Sequence, residues 1–257
     1  MIEATIGKYK RNIAENWNEL TPKQVRQIAN VFHSAKSHKE AKVKMLRILL
    51  DVPFSTFKLL TNVQIINIWD CTDFIFNETR LTQNPYPELS LGTLRGTKLI
   101  GPNDKLNNIN LLEFAAADSY YIKFCENPDK YISFLYKMVA VLWRPATATP
   151  TETDKRIPFS EPSVQQRADL IRKHIKPDQL TAIRIFYYGC RKMLNGRYKN
   201  VFEGGEKIKG KSYGWLELIN GMAGDKFGDW QATCNTLLHT AFISLDIDMR
   251  NQKNLKK

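Results

Sequence analysis

The chain has 257 residues, of which 43% are hydrophobic and 11% aromatic, so it can fill a core and is not an intrinsically disordered protein. Lysine and arginine number 38 against 26 acidic residues, and the resulting net charge of +12 favours contact with nucleic acid, an acidic protein or an anionic surface. The first residues lack the apolar core of a secretion signal, and no apolar run approaches the ~18 residues of a membrane span, so we expect a soluble protein without membrane contact.

The N-terminal part of the chain predicts three helices. The first begins at Pro22, because Thr21 suits the N-cap and proline suits the first helical turn. A basic helix follows from about His38 to Leu50. Thr61 caps the third, which continues to about Phe76 and is apolar nearly all round. A helix of this kind is normally buried, so we predict a central, buried helix here.

The segment from Arg80 to Asn110 is rich in proline and glycine and differs from its surroundings. Within it, Glu88–Leu91 and Thr97–Ile100 are each short enough for one β-strand. The segment therefore predicts either a small hairpin or an ordered irregular loop. A loop of this length in a compact protein is usually functional or a binding arm.

Helical periodicity resumes at Asn110, and helix-start signals follow near Pro128, Ser163, Pro177 and Asp229. The fold class is mainly α, an irregular multi-helix bundle with a long loop or small β-hairpin at about 80–110 and an extended Pro/Thr arm at about 144–162. We predict an N-terminal helical domain over 1–143 with the hairpin or loop as an insertion, an arm or linker over 144–162, and a C-terminal helical segment over 163–257. One continuous domain is the alternative.

One motif suggests nucleotide chemistry. Gly205–Ser212 reads G-x-x-x-x-G-K-S, the pattern of a phosphate-binding loop, which joins a buried strand to a helix. Here the helix predicted over Pro177–Asn195 precedes it, and Tyr198–Phe202 is only half apolar as a strand. We find no β-α alternation elsewhere that would build the required parallel sheet. We therefore interpret the motif as a basic, glycine-rich loop and expect no nucleotide cofactor.

The positive charge concentrates near this motif. From Arg184 to Lys211 eight basic residues face two acidic ones, a net charge of +6, and tyrosines that could stack on bases lie among them. The alternative is an ordinary solvated helix face, because no recognised nucleic-acid-binding motif is present. The candidate nucleic-acid contacts are Arg191, Lys192, Arg197, Lys199, Lys207, Lys209 and Lys211.

Signatures of enzymes and metal sites are missing from the sequence. It contains no nucleophile motif, no recognisable pair of catalytic carboxylates and no His/Cys spacing typical of metal ligands. We expect the four cysteines, Cys71, Cys125, Cys190 and Cys234, to be buried reduced thiols on helical stripes. The sequence thus predicts a protein that is not an enzyme and has neither a catalytic residue nor a metal.

Two ends of the Pro/Thr arm suggest protein recognition. Trp143 and Arg144 belong to the residue types most common as interface anchors, and they end the helix before the arm. The arm closes on Arg156, Ile157 and Phe159, whose apolar tip suits docking on a neighbouring protein. The alternative is that the same residues pin the arm to its own domain. Both arrangements bury the same groups, so the sequence does not choose between them.

Four short motifs resemble a known group of proteins: L-W-R-P at 142–145, D-K-R-I-P-F at 154–159, F-Y-Y-G-C-R at 186–191 and G-W-L-E-L-I at 214–219. Together they are similar to poorly characterised virion and tail-assembly proteins of tailed bacteriophages of gut bacteria, including crAss-like phages. The resemblance covers roughly Tyr131 to Leu218, and the N-terminal half departs from it. None of the motifs is catalytic.

The resemblance implies a non-enzymatic role in particle assembly: a head–tail connector or ring subunit, a packaged virion protein, or a tail-assembly chaperone. We then expect contacts with other virion or assembly proteins, a homo-oligomer or ring, proximity to DNA, and a location in the virion after assembly in the host cytoplasm. The alternative is a nucleic-acid-binding protein that uses the basic segment 184–211.

Overall fold

The computed structural model describes residues 1–6, 9–77, 79–92, 97–203, 214–224 and 226–255, and it confirms the mainly α fold. The described helices are α1 (Pro22–Ser34), α2 (His38–Leu50), α3 (Phe54–Phe57), α4 (Asn62–Asn67), α5 (Asp73–Asn77), α6 (Leu111–Glu126), α7 (Ile132–Leu142), α8 (Val164–His174), α9 (Pro177–Arg197), α10 (Lys199–Glu203), α11 (Trp215–Met222), α12 (Trp230–Asn235) and α13 (Leu238–Leu255). The described strands are β1 (Ile2–Ile6), β2 (Tyr9–Ile13), β3 (Glu88–Ser90), β4 (Lys98–Ile100) and β5 (Arg144–Pro145). No described helix is both long enough and apolar enough to cross a lipid bilayer.

The chain divides into two compact units. The first contains residues 1–85 and 176–191, and the second contains residues 86–175 and 192–257. The predicted arm at 144–162 lies within the second unit, and α9 contributes residues to both.

The first unit combines an antiparallel hairpin, β1 and β2, with α1 to α5 and most of α9. The predicted start of α1 is confirmed: the Thr21 side chain accepts from the Gln24 backbone N–H, and the Gln24 side chain accepts from the Thr21 N–H. The predicted bounds of α2 are also confirmed. The largest side chains in this core include Trp17, Ile28, Met45, Phe186 and Tyr187.

The prediction of one buried helix from Thr61 to Phe76 is wrong. Thr61 does cap α4, but α4 ends at Asn67, and none of its residues is buried. The backbone leaves the helical region at Ile68, with φ −109° and ψ 7°, and continues as a 3-10 helix over Trp69–Thr72 before α5. The apolar pattern over 61–76 therefore did not predict the exposure of α4, whose Val63 and Ile66 are each 66% exposed, although Ile75 in α5 is buried.

The second unit contains a three-stranded antiparallel sheet. Strands β3 and β4 form the predicted hairpin, with Glu88 opposite Ile100, and β5 pairs with β4 on its other side. Helix α7 packs against both α6 and α8. The buried side chains of this unit include Phe114, Met138, Val139, Trp143 and Phe242.

Two sequence predictions, on the start of α7 and on the cysteines of both units, differ from the structure. Asn127 caps a turn rather than a helix, since its side chain accepts from the Lys130 N–H, and α7 begins only at Ile132. The segment Tyr198–Phe202, only half apolar as a strand, is helical from Lys199 onward. Cys125 is exposed and Cys71 half-buried, whereas Cys190 and Cys234 are buried as predicted.

The helix predicted from Asp229 onward is interrupted. Asp229 caps α12 as expected, but the chain leaves the helix at Thr236. There the Thr236 carbonyl accepts from the Leu111 N–H, and the Leu238 N–H donates to the Ile109 carbonyl. These backbone bonds to the segment before α6 replace two bonds of a continuous helix, so α13 starts anew at Leu238.

Candidate protein-interaction surface

The first predicted anchor, Trp143, lies inside the second unit. Its side chain is fully buried, and the indole Nε1 donates to the Tyr86 carbonyl over 2.8 Å. The backbone N–H of Trp143 bonds to the Val139 carbonyl and closes α7. A buried indole needs such a partner for its N–H, so Trp143 fastens the end of α7 to the chain that leads into β3.

Arg144 and Arg156 form a buried network with two carboxylates. Glu113 receives both arginines, with 2.7 Å between its Oε1 and Arg144 Nη1 and 3.2 Å between its Oε2 and Arg156 Nη2. Asp154 accepts from Arg156 Nε at 2.8 Å and lies 3.4 Å from Arg144 Nη2. Two positive and two negative charges therefore balance in a network whose two arginines and Glu113 are buried, while Asp154 is 24% exposed.

The two arginines differ in how well they are satisfied. Arg156 also donates to the carbonyls of Leu142 and Asn108, over 2.8 Å and 2.9 Å. Arg144 Nε has no hydrogen-bond partner among the described residues, and its Nη1 meets Glu113 as an ion pair without hydrogen-bond geometry. Burial lowers the pKa of Arg144, while the charge of Glu113 opposes this shift. Arg156 is accordingly the better-bonded centre of the network.

The arm doubles back instead of leaving the unit. Its two sides are joined by backbone bonds from Thr147 to the Lys155 carbonyl and from Ile157 to the Pro145 carbonyl, each 2.9 Å long. Its tip is closed by the bond from the Thr151 N–H to the Asp154 carbonyl.

The sequence left two alternatives for the arm: docking on a neighbouring protein, or attachment to its own domain. The burial of its anchors favours attachment to its own domain. Trp143, Arg144 and Arg156 are engaged within their own unit and present no surface to a partner. Ile157 and Phe159 are half-buried, so part of each remains accessible. A partner-binding role for these two stays a prediction.

The other two motifs of the resemblance also contain packing residues. Gly189 in F-Y-Y-G-C-R faces the backbone of Leu81 so closely that an added Cβ would lie 2.1 Å from the Leu81 carbonyl oxygen. Trp215 in G-W-L-E-L-I donates from Nε1 to Asp118 over 2.8 Å and stacks on Phe242, with 5.6 Å between the ring centroids. In each motif, at least one residue is therefore explained by packing.

The predicted nucleic-acid contacts fall in two groups. Lys192, Arg197 and Lys199 are exposed and Arg191 is half-buried, whereas the other three lysines lie outside the described residues, as does the whole motif 205–212. In the second unit, α13 adds a further cation, because Lys253 donates to the Asn200 side chain beside Lys199 over 2.8 Å. The strand–loop–helix context of a phosphate-binding loop is not found in the described residues, where α10 precedes the motif and all strands pair antiparallel.

The structure reveals one surface that the sequence prediction missed. The 18 residues from Val52 to Trp69 contain one charged side chain, that of Lys58, although a quarter of the whole chain is charged and about four would be expected. Four large apolar side chains in this segment are more than half exposed, and we call them the apolar surface: Phe54 (55%), Leu59 (81%), Val63 (66%) and Ile66 (66%). The scarcity of charged residues over these 18 positions is the sequence signal from which the apolar surface could have been predicted.

Two cations lie close to Phe54 of the apolar surface. The Lys58 ammonium lies 4.7 Å and the Arg47 guanidinium 5.4 Å from the centroid of the Phe54 ring. Arg47 also lines a hollow of about 290 Å³ beside α1 and α2, together with Lys44, Val31 and other residues. Residues 22–60 hold eight basic and two acidic side chains, a net charge of +6 and half that of the chain.

The described residues contain no group of three His, Cys, Asp or Glu side chains that could hold a metal ion. A comparison of the chain with protein-family models, curated proteins and solved structures finds no match.

Proposed function

We propose that this protein is a non-enzymatic structural or assembly protein of a tailed-bacteriophage particle and acts through protein–protein contacts. The particle role is that of a head–tail connector, a ring subunit or a tail-assembly factor, located in the virion or in its precursors in the host cytoplasm. The four short motifs support the phage context. The observation that carries the role in protein contact is the apolar surface.

Exposed apolar area of this kind is unfavourable in an isolated molecule. Burying each large apolar side chain contributes about 1.5–3 kcal/mol, so association through four of them provides a substantial driving force. Contiguous exposed apolar patches rimmed by polar residues mark interaction sites in soluble proteins. A segment with one charged side chain in 18 residues offers few of the titratable groups that a catalytic site normally requires.

Lys58 allows a direct test, because it is the single lysine within the apolar surface segment. Particles and assembly intermediates of a phage that encodes this chain would be treated with an amine-reactive cross-linker and analysed by peptide mass spectrometry. We expect the chain in one of these fractions, with Lys58 cross-linked to another protein chain. Absence of the chain from both fractions would overturn the proposal.

A second function, nucleic-acid binding, is favoured by exposed cations at the end of α9, in α10 and in α13. All three cations, Arg197, Lys199 and Lys253, lie in the second unit. Arg197 and Lys199 are two residues apart in the chain, and the bond from Lys253 to Asn200 places Lys253 beside Lys199. Such a cluster could neutralise phosphates without reading sequence. This function would not require the apolar surface, and the salt dependence of DNA binding tests it separately.

A further inference from the structure

We propose that the apolar surface binds an acidic amphipathic segment of a different protein, with its apolar side chains on Leu59, Val63 and Ile66 and its carboxylates against Arg47 and Lys58. This inference rests on the proposed function and names the chemistry of the partner.

The apolar half of the site is a helical face that lacks a cover. Val63 and Ile66 are three residues apart on α4 and therefore lie on the same side of the helix, with Leu59 shortly before its N-terminal end. None of the six residues of α4 is buried, and its polar residues are uncharged amides. A partner helix that places apolar side chains at i, i+3 or i+4 and i+7 is the common occupant of such a face.

The charged half of the site determines the sign of the partner. Arg47 and Lys58 flank the Phe54 ring, and neither forms an ion pair among the described residues. The two acidic residues of the neighbouring helices are already engaged, Glu40 with Lys44 at 2.7 Å and Asp51 with Lys23 at 4.0 Å. Carboxylates brought by a partner would therefore meet cations that lack a counter-charge.

A second copy of this chain is a poor occupant by the same reasoning. A symmetric contact through the apolar surface would bring two regions of charge +6 together, and like charges across an interface oppose association. An anionic membrane is a poorer match, because helices that lie on membranes carry lysine and arginine along their own polar face, whereas the polar residues of α4 are uncharged and the two cations of the site lie outside this helix. The partner best matched to both halves is an acidic protein segment.

The experiment is a selection of binding peptides from a random library of about 16 residues, long enough for four helical turns, against the full chain. We expect the selected peptides to carry net negative charge and apolar residues at helical spacing. Their affinity should fall at least tenfold against the double variant Val63→Asp/Ile66→Asp, and also against Arg47→Glu/Lys58→Glu. Binding should also weaken as salt rises, because exposed charges are screened.

A matched control keeps the result interpretable. Ile122 is 44% exposed on α6, so Ile122→Asp introduces the same chemistry away from the apolar surface and should leave peptide affinity unchanged. All variants would be checked for wild-type thermal unfolding. Neutral or basic selected peptides, or affinity unaffected by both double variants, would overturn the inference.

The last measurement tests binding to vesicles in which about a third of the lipid is anionic. Binding to these vesicles that is lost in Val63→Asp/Ile66→Asp, without any acidic peptide being selected, would also overturn the inference and identify a membrane surface instead. None of these measurements uses phage particles, so this inference and the proposed function can fail separately. Cross-links from Lys58 to a neutral protein in the particle would support the proposed function and contradict this inference.

Discussion

At the scale of single residues, Gly189 shows why a short motif can be constrained without being catalytic. It lies in the middle of α9, where glycine is intrinsically unfavourable compared with alanine. Its backbone packs against that of Leu81, and any Cβ would require one of the two backbones to move. Close approach of two backbones therefore decides the residue at this position.

We predict that Gly189→Ala lowers the free energy of unfolding by about 3 kcal/mol, since overpacking against backbone cannot be relieved by a side-chain rotation. Gly196 provides the control in the same helix, because a Cβ there would meet nothing within 4 Å. Gly196→Ala should stabilise the protein by up to about 1 kcal/mol. Urea unfolding monitored by circular dichroism measures both changes, and equal effects of the two substitutions would contradict the packing argument.

The arginine network leads to a second prediction at this scale. Arg156→Met removes the better-bonded arginine and leaves Glu113 and Asp154 to share the single positive charge of Arg144. We expect a loss of about 3–5 kcal/mol in the free energy of unfolding, as is typical when one partner of a buried ion pair is removed. The exposed pair between Lys226 and Asp248, 2.8 Å apart, is the comparison: Lys226→Met should change stability by less than about 1 kcal/mol. A small effect of Arg156→Met in urea unfolding would mean that the network is not required to fix the arm.

At the scale of secondary-structure elements, the start of α13 is held by a histidine. His239 Nε2 lies 2.9 Å from the Lys105 carbonyl, and its Nδ1 lies 2.9 Å from the Tyr198 hydroxyl. Because a carbonyl can only accept, Nε2 carries the proton, and in the neutral ring Nδ1 accepts from Tyr198. Burial lowers the pKa of His239, the bond to Lys105 opposes this, and the nearby charges of Arg197 and Lys105 lower it further.

This arrangement predicts a pH dependence of stability. The folded-state pKa of His239 lies below its unfolded value, so the unfolded chain binds the proton first as the pH falls. The contribution of His239 is therefore complete above pH 6.5, its ordinary pKa, and is lost as the pH falls through the folded-state value. We expect the difference in urea midpoint between about pH 7.5 and pH 5.5 to be smaller in His239→Gln than in the wild type. An unchanged difference would show that other groups cause the pH dependence.

At the scale of the whole molecule, the net charge of +12 and the proposed particle role suggest different partners. A particle subunit should form a closed oligomer through specific contacts, whereas charge alone gives weak binding to any polyanion. We predict that light scattering finds a defined multiple of the chain mass, unchanged when DNA is added at physiological salt. A monomer whose mass changes only with DNA would favour the second function.

DNA binding itself should follow the electrostatic pattern. We expect affinity for duplex DNA to fall by at least about tenfold between 50 and 200 mM salt, because counterion release dominates such binding. Arg197→Glu/Lys199→Glu should weaken it and flatten its salt dependence, while Lys226→Gln, a change in a cation already paired with Asp248, should have a smaller effect. Tight binding that persists at high salt in the double variant would show that the DNA contacts lie elsewhere.

Local chemistry explains what the sequence by itself determined about this protein. The N-caps at Thr21 and Thr61, the bounds of α2 and the hairpin of β3 and β4 follow from side chains that satisfy nearby backbone groups and from periodicity over a few turns. The clustering of charge was equally evident without the structure.

Tertiary structure decided which of these surfaces are covered, because burial depends on segments distant in the sequence. Only the structure showed that Trp143 meets the Tyr86 carbonyl and is internal, although its residue type suggested an interface anchor. It also showed that α4 is exposed despite its apolar sequence, and that backbone bonds to Leu111 interrupt the helix at Thr236. Periodicity identifies a face that must be buried, but long-range packing determines whether the same chain buries it or leaves it for a partner.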